Sequence, residues 1–135
     1  MNVALIEIPK IENILGTIGV IENDTMPFVM KRVYYLYDIP SSANRGGHAH
    51  KELKQVLIAI SGSFDVIIND GATQKKITLN KPNVGLLINT NIWRELDNFS
   101  SGAVCLVLAS AVFDENDYIR DYQQFLDYIQ KTNSL

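Results

Sequence analysis

From Val3 to about Ser110 the chain is a succession of short runs rich in β-branched and aromatic residues, each closed by a turn residue. Residues 3–8, 17–22, 31–38, 56–61, 64–69, 75–79, 84–88, 92–96 and 103–110 read as strands. Asn69-Asp70-Gly71 is a hairpin turn, because Asp-Gly accepts positive φ readily. Ser61-Gly62-Ser63 and Lys81-Pro82-Asn83 interrupt the chain in the same way. This rhythm predicts an all-β barrel or sandwich and argues against alternating βαβ units. At 135 residues there is room for one core, so residues 1–135 are expected to form one domain.

After Ser110 the period changes. Tyr118, Ile119, Tyr122, Phe125, Leu126 and Ile129 fall on one face of an α-helix. Asp114 is a suitable N-cap, Glu115 and Asp117 suit the positive end of the dipole, and Lys131 suits the other end. The spacing predicts a helix over 114–131, with its aromatic stripe packed on the outside of the barrel. Arg120 lies beside Tyr118 and Tyr122; a solvated arginine is the plain reading and a phosphate contact the functional one.

Composition narrows the function classes. Fifteen acidic side chains against twelve basic ones give a net charge of −3, which disfavours a phosphate-gripping nucleic-acid binder. No apolar run approaches the roughly 18 residues of a membrane span, and no basic leader precedes the first apolar stretch. Cys105, the single cysteine, rules out an internal disulfide and any multi-cysteine metal site. The expectation is a soluble, cytoplasmic protein that meets neither nucleic acid nor membrane.

The chemistry gathers in Arg45-Gly46-Gly47-His48-Ala49-His50. Both histidines of the chain are here, and in a strand a spacing of two puts both imidazoles on one face. Imidazoles turned into a barrel need polar partners, so packing alone is a poor reason for the pair; exposed surface histidines are the alternative. Gly46 and Gly47 allow a tight backbone path, and Arg45 is a natural anion contact. The strand around Arg32-Val33-Tyr34-Tyr35-Leu36-Tyr37 supplies tyrosines as proton donors. Alternation sets Arg32, Tyr34 and Leu36 on one face and Val33, Tyr35 and Tyr37 on the other, without saying which is inward.

The stretch from His48 resembles the first motif of the cupin superfamily of small β-barrels. That motif has His-x-His, a glutamate four or five residues on, and then a glycine. The glycine is Gly62, but Lys54 and Gln55 occupy the glutamate positions, and Arg94 stands where a second motif would place a fourth ligand histidine. A guanidinium beside a divalent cation is unfavourable, so no metal is expected, although Glu52 or Glu95 could complete a two-histidine, one-carboxylate set.

Seven segments then appear in a specific order: Lys31–Tyr35, Arg45–Lys51, Gln55-Val56-Leu57, Val84-Gly85-Leu86, Phe99-Ser100-Ser101, Val107–Ser110 and Asp114–Arg120. Together they resemble the nucleotide-sugar 3,4-ketoisomerases, metal-free cupins acting on dTDP-4-keto-6-deoxyglucose. The resemblance implies a jelly-roll cupin barrel with a C-terminal helix, no cofactor, and a homodimer in which residues 1–9 join the partner's sheet. It implies a dTDP-sugar substrate and a role in making 3-amino-3,6-dideoxyhexoses for surface glycans. By residue-wise similarity His48 is the base, Tyr34 a proton donor or shuttle, and His50 orients or protonates the sugar. Arg32, Arg45, Arg94 and Arg120 are the substrate-binding candidates. Ile14-Leu15-Gly16 lacks the arginine of one family branch, and Arg94 in place of histidine leans toward the gluco product. Two other readings are a nucleotide-sugar 3,5-epimerase and a non-catalytic nucleotide-sugar-binding cupin.

Overall fold

Branched residues that alternate with polar ones bury one face of a strand, and runs apolar on both faces must be covered twice. The computed structural model, which describes residues 1–134, shows both solutions. In chain order the strands are β1 (Val3–Glu7), β2 (Lys10–Asn13), β3 (Gly16–Gly19), β4 (Arg32–Leu36), β5 (Arg45–His50) and β6 (Gln55–Ser61). They continue with β7 (Phe64–Asn69), β8 (Gln74–Leu79), β9 (Val84–Ile88), β10 (Trp93–Asp97), β11 (Val104–Ala109) and β12 (Tyr118–Ile119), and helix α1 (Tyr122–Asn133) closes the order.

Two five-stranded antiparallel sheets, ordered β1-β9-β6-β11-β4 and β12-β5-β10-β7-β8, pack face to face as an all-β cupin-type jelly roll. Leu57, Leu86, Ile88, Cys105 and Val107 of the first sheet meet Phe64, Val66, Ile68 and Leu96 of the second. The outer face of the first sheet, at Val56, Ile58 and Leu108, is covered by Ile8, Met26 and the chain around Phe28. Helix α1 covers the outer face of the second, where Phe125 packs on Ala49, Trp93 and Ile119. Among the described residues β2 and β3 pair only with each other, in a hairpin whose tip residues Ile14 and Leu15 are exposed.

The structure corrects two expectations. The helix begins at Tyr122, not Asp114, and ends at Asn133. Asp114 instead caps a short 3-10 turn, Glu115–Asp117, by accepting from the Asn116 N–H, and Asp121 caps α1 by accepting from Gln124. Between the two caps Tyr118 and Ile119 pair with His50 and Ala49 of β5, so strand pairing overrides helical periodicity there. β5 was absent from the strands read by alternation because two glycines interrupt it. Gly46 has φ 104°, and a Cβ there would sit 3.2 Å from the Arg94 carbonyl oxygen, so the β5–β10 pairing at this irregularity needs glycine. In the single chain described, β1 pairs with β9, Val3 with Ile88 through Glu7 with Val84.

Candidate active site

The face of β4 left open by periodicity is settled by exposure: Val33 and Tyr35 are about 60% exposed, so Arg32, Tyr34 and Leu36 point inward. Opposite them, β5 turns His48 inward and β10 turns Arg94 inward, since Arg94 and His48 are register partners. Six of the seven residues singled out in the sequence (Arg32, Tyr34, Arg45, His48, Arg94 and Arg120) line one cleft of about 230 Å³. His50 is the exception. It lies fully buried behind His48, with ring centroids 4.9 Å apart, and borders an adjoining cleft with Asp117. Tyr118 and Arg32 belong to both clefts.

The hydrogen bonds fix the tautomers. Nδ1 of His48 donates to the Gly46 carbonyl, which leaves Nε2 as the acceptor of the ring. Burial, then the Arg94 cation, then His50 push His48 down to about 3, so it stays neutral at physiological pH. Nδ1 of His50 donates to Oδ2 of Asp117 at 3.0 Å, and its buried Nε2 has no protein partner among the described residues. Burial and the charges of Arg94, Arg120 and Arg32 push His50 down, while the Asp117 carboxylate pulls against them. Three cations and full desolvation outweigh one carboxylate that is already engaged: Asp117 also accepts from the backbone N–H groups of Glu52 and Leu53. The neutral ring is the form this site favours.

Arg94 departs from its expected role as a simple substrate anchor. It is 1% exposed, and Nη1 donates to Oε1 of Gln55 at 2.7 Å while Nε and Nη2 donate to the Ile92 carbonyl. Burial pushes it down to about 10, still a cation at neutral pH. Of its five N–H groups two remain for the cleft. Nε2 of Gln55 in turn donates to the Tyr34 hydroxyl at 2.9 Å, and burial raises Tyr34, keeping the phenol protonated. Two positions where a metal-binding cupin carries ligands are thus bonded to one another, and one bears a positive charge. Glu95, one of the two candidate carboxylates, accepts from the Trp93 indole under the helix, and no cluster of three His, Cys, Asp or Glu side chains, with Glu52 or otherwise, occurs among the described residues. This donor set does not suit a divalent ion.

At the mouth Arg120 is held by Glu115, with Nε and Nη2 at 2.7 and 2.9 Å from the carboxylate, and lies 4.1 Å over the Tyr118 ring. Arg32 lies 4.4 Å over the Tyr34 ring. Tyr118 stands 5.0 and 4.4 Å from the rings of His48 and His50. Gln55, Asp117 and Tyr118 were not singled out as site residues from sequence. In the sequence Gln55 stands at a lost ligand position and in a segment of the family resemblance, without a role, and the helical period claims the other two. A second capping aspartate, Asp121, was the available sign that the helix starts later.

Residues 1–130 match the family model described as "FdtA: WxcM-like, C-terminal". The chain is 46% identical over 134 residues to the TDP-4-oxo-6-deoxy-alpha-D-glucose-3,4-oxoisomerase of Aneurinibacillus thermoaerophilus, covering 98% of this chain and 96% of that one. Among solved structures it is similar to a histidine-to-asparagine mutant of the 3,4-ketoisomerase QdtA from Thermoanaerobacterium thermosaccharolyticum, in complex with TDP-4-keto-6-deoxyglucose. The TM-score is 0.94 at 43% identity, over 96% of this chain and 95% of that one. It is also similar to the WlaRB TDP-quinovose 3,4-ketoisomerase from Campylobacter jejuni, with TM-score 0.89, 48% identity, and coverage of 93% and 98%. A 3'-monoepimerase from Streptomyces bikiniensis, 10% identical with TM-score 0.73, shares the fold alone.

Proposed function

The chain belongs to the FdtA (WxcM-like, C-terminal) family, and from that premise we propose that it is a sugar-nucleotide 3,4-ketoisomerase converting dTDP-4-keto-6-deoxyglucose to the 3-keto sugar. The observation that carries the chemistry is one cleft holding a neutral imidazole with a free Nε2, a protonated phenol and a buried cation: His48, Tyr34 and Arg94. The C4 carbonyl acidifies the C3 proton. His48 takes that proton while Tyr34 gives one to O4, forming the enediol. In the return half the Tyr34 phenolate takes the O3 proton as the C3 carbonyl forms, C4 receives a proton, and His48 releases the one it took, so both groups are restored. No redox equivalent enters or leaves. The guanidinium of Arg94 stabilises the enediolate charge in a site of low dielectric, where such stabilisation is strongest. His50, held by Asp117, orients the sugar or passes a proton.

Arg32, Arg45 and Arg120 are assigned to the diphosphate, because guanidinium forks match phosphate oxygens and all three line the cleft. The gluco product is favoured. H3 and H4 of a gluco ring lie on opposite faces, so C4 is then protonated from the face opposite the one where His48 removes the C3 proton, by a group other than the Arg94 cation; the 48% identity to a TDP-quinovose 3,4-ketoisomerase agrees, quinovose being 6-deoxyglucose. A 3,5-epimerase would need proton transfer at C5 as well as C3, and a binding module has no use for an Asp-oriented histidine behind the first. We place the enzyme in the cytoplasm, in the synthesis of 3-amino-3,6-dideoxyhexoses for surface glycans. Its buried thiol, Cys105, and its relatives' nucleotide-sugar substrates support this. No helix among the described residues is long and apolar enough to cross a membrane. NMR of the product should show a ketone at C3 and an equatorial C4 hydroxyl. An axial hydroxyl would overturn the reading of Arg94.

We also propose a homodimer with exchanged N-terminal strands, the whole of residues 1–135 acting as one domain. Pro9 links β1 to a hairpin whose exposed Ile11, Ile14, Leu15 and Ile18 lack a cover within the described residues, and a partner's β1 could occupy the same register on β9. Deleting residues 1–9 would leave the β9 edge unpaired and should weaken the dimer and lower activity. A fully active monomer after deletion would refute the exchange.

A further inference from the structure

Tyr34 can act as a proton donor only if its own O–H is free to point at the sugar, and the structure contains a device that secures this. Arg94 has donors and no acceptor, so the Gln55 atom facing Nη1 at 2.7 Å must be the amide oxygen. The amide nitrogen is then obliged to face Tyr34, where it lies 2.9 Å from the hydroxyl oxygen. With an N–H already donating to that oxygen, the phenolic hydrogen cannot point at Gln55 and is turned toward the cleft. Gln55 is 3% exposed and Arg94 1%, so water does not compete for either bond.

We propose that Gln55 is a positioning residue that sets the direction of the Tyr34 proton, with the Arg94 cation locking the amide in the required orientation. This rests on the ketoisomerase reading and deepens it: a position that in metal-binding cupins carries a carboxylate here requires an amide. A glutamate would satisfy Arg94 equally well, and as a neighbouring ion pair even better, but it would present an acceptor to Tyr34. The phenolic proton would then be drawn onto Glu and away from O4.

The test compares Gln55→Glu with Gln55→Met, both assayed with a chelator present because the glutamate adds a third oxygen or nitrogen ligand beside the histidines. If Gln55 positions the proton, Gln55→Glu should lose about 10²-fold in kcat, in the range of a lost general acid, with KM within a few-fold of wild type. It should melt no lower than wild type. Gln55→Met offers Tyr34 no competing acceptor and should lose less, about tenfold. A merely structural role predicts the opposite order, since glutamate keeps the bond to Arg94 and methionine does not. The second readout does not depend on turnover: with 13Cζ-labelled tyrosine, the Tyr34 titration should move upward in Gln55→Glu, because the phenolate loses a donor and gains a negative neighbour. Near wild-type kcat in Gln55→Glu, or an unmoved Tyr34 titration, would overturn the proposal. Wild-type protein that fails to isomerise the keto sugar would instead overturn the function on which it rests.

Discussion

Replacing His48 by asparagine should leave a folded protein that still binds dTDP but isomerises its sugar at least about 10²–10⁴-fold more slowly, the usual loss when a general base is removed. Asparagine can keep the side-chain donor to the Gly46 carbonyl, so the local backbone is retained while the basic nitrogen is lost. Wild-type turnover in His48→Asn together with an inactive His50→Asn would show that the two histidines exchange roles. The same group dictates the pH profile. With His48 held at about 3 in the free enzyme, it gains a proton, and the reaction slows, only at strongly acidic pH. The acid limb of kcat/KM should therefore lie well below 6.5, and that of kcat higher, because the bound diphosphate favours the imidazolium. A kcat/KM limb near 6.5 would contradict the buried, arginine-flanked environment. Stability follows the same sign. The unfolded chain binds the His48 proton first, so stability should fall as pH drops through the window from about 6.5 to 3. His48→Asn should flatten that slope.

The largest expected effect on stability comes from outside the cleft. Phe125 is fully buried, its ring 5.8 Å from Trp93 and 5.9 Å from Tyr122, and it anchors α1 to the outer face of β5 at Ala49. Phe125→Ala should cost about 3–5 kcal/mol, the range for deleting a buried ring and leaving a cavity. For a chain of this size that is a fall in melting temperature of about 10–18 °C. Ala49 lies between the two catalytic candidates on the opposite face of the strand, so loosening α1 should also reduce kcat at temperatures where the protein is still folded. A shift under about 3 °C in thermal melting would mean that the helix contributes little to holding the second sheet.

How much of this could be read from sequence depends on where each signal was local. β7 and β9 follow to the residue from their apolar, branched runs, because each is bounded by turn residues; both are buried on both faces. The His48-x-His50 pair was legible as a same-face pair, and the arginines as anion contacts, because those readings need only spacing and charge. β5 was hidden by Gly46 and Gly47, and at Gly46 the reason for glycine is a close approach to β10 that only the folded chain shows. The helix start was misplaced since Tyr118 fits both a helical stripe and a two-residue strand, and its pairing with His50 is a contact across 68 positions. The inward face of β4 could not be read because Arg32, Tyr34 and Leu36 are as mixed in character as Val33, Tyr35 and Tyr37. The bond between Arg94 and Gln55 was equally invisible. Sequence showed two missing metal ligands; only the fold shows that their replacements bond to each other and aim a tyrosine.

The most direct test is to incubate the wild-type protein with dTDP-4-keto-6-deoxyglucose in deuterium oxide and locate the label by NMR. A 3,4-ketoisomerase should place deuterium at C4 of a 3-keto product and at C3 of recovered substrate, with the C5 proton retained. Deuterium at C5, or no incorporation above an enzyme-free control, would contradict proton transfer between C3 and C4 at the His48–Tyr34 cleft.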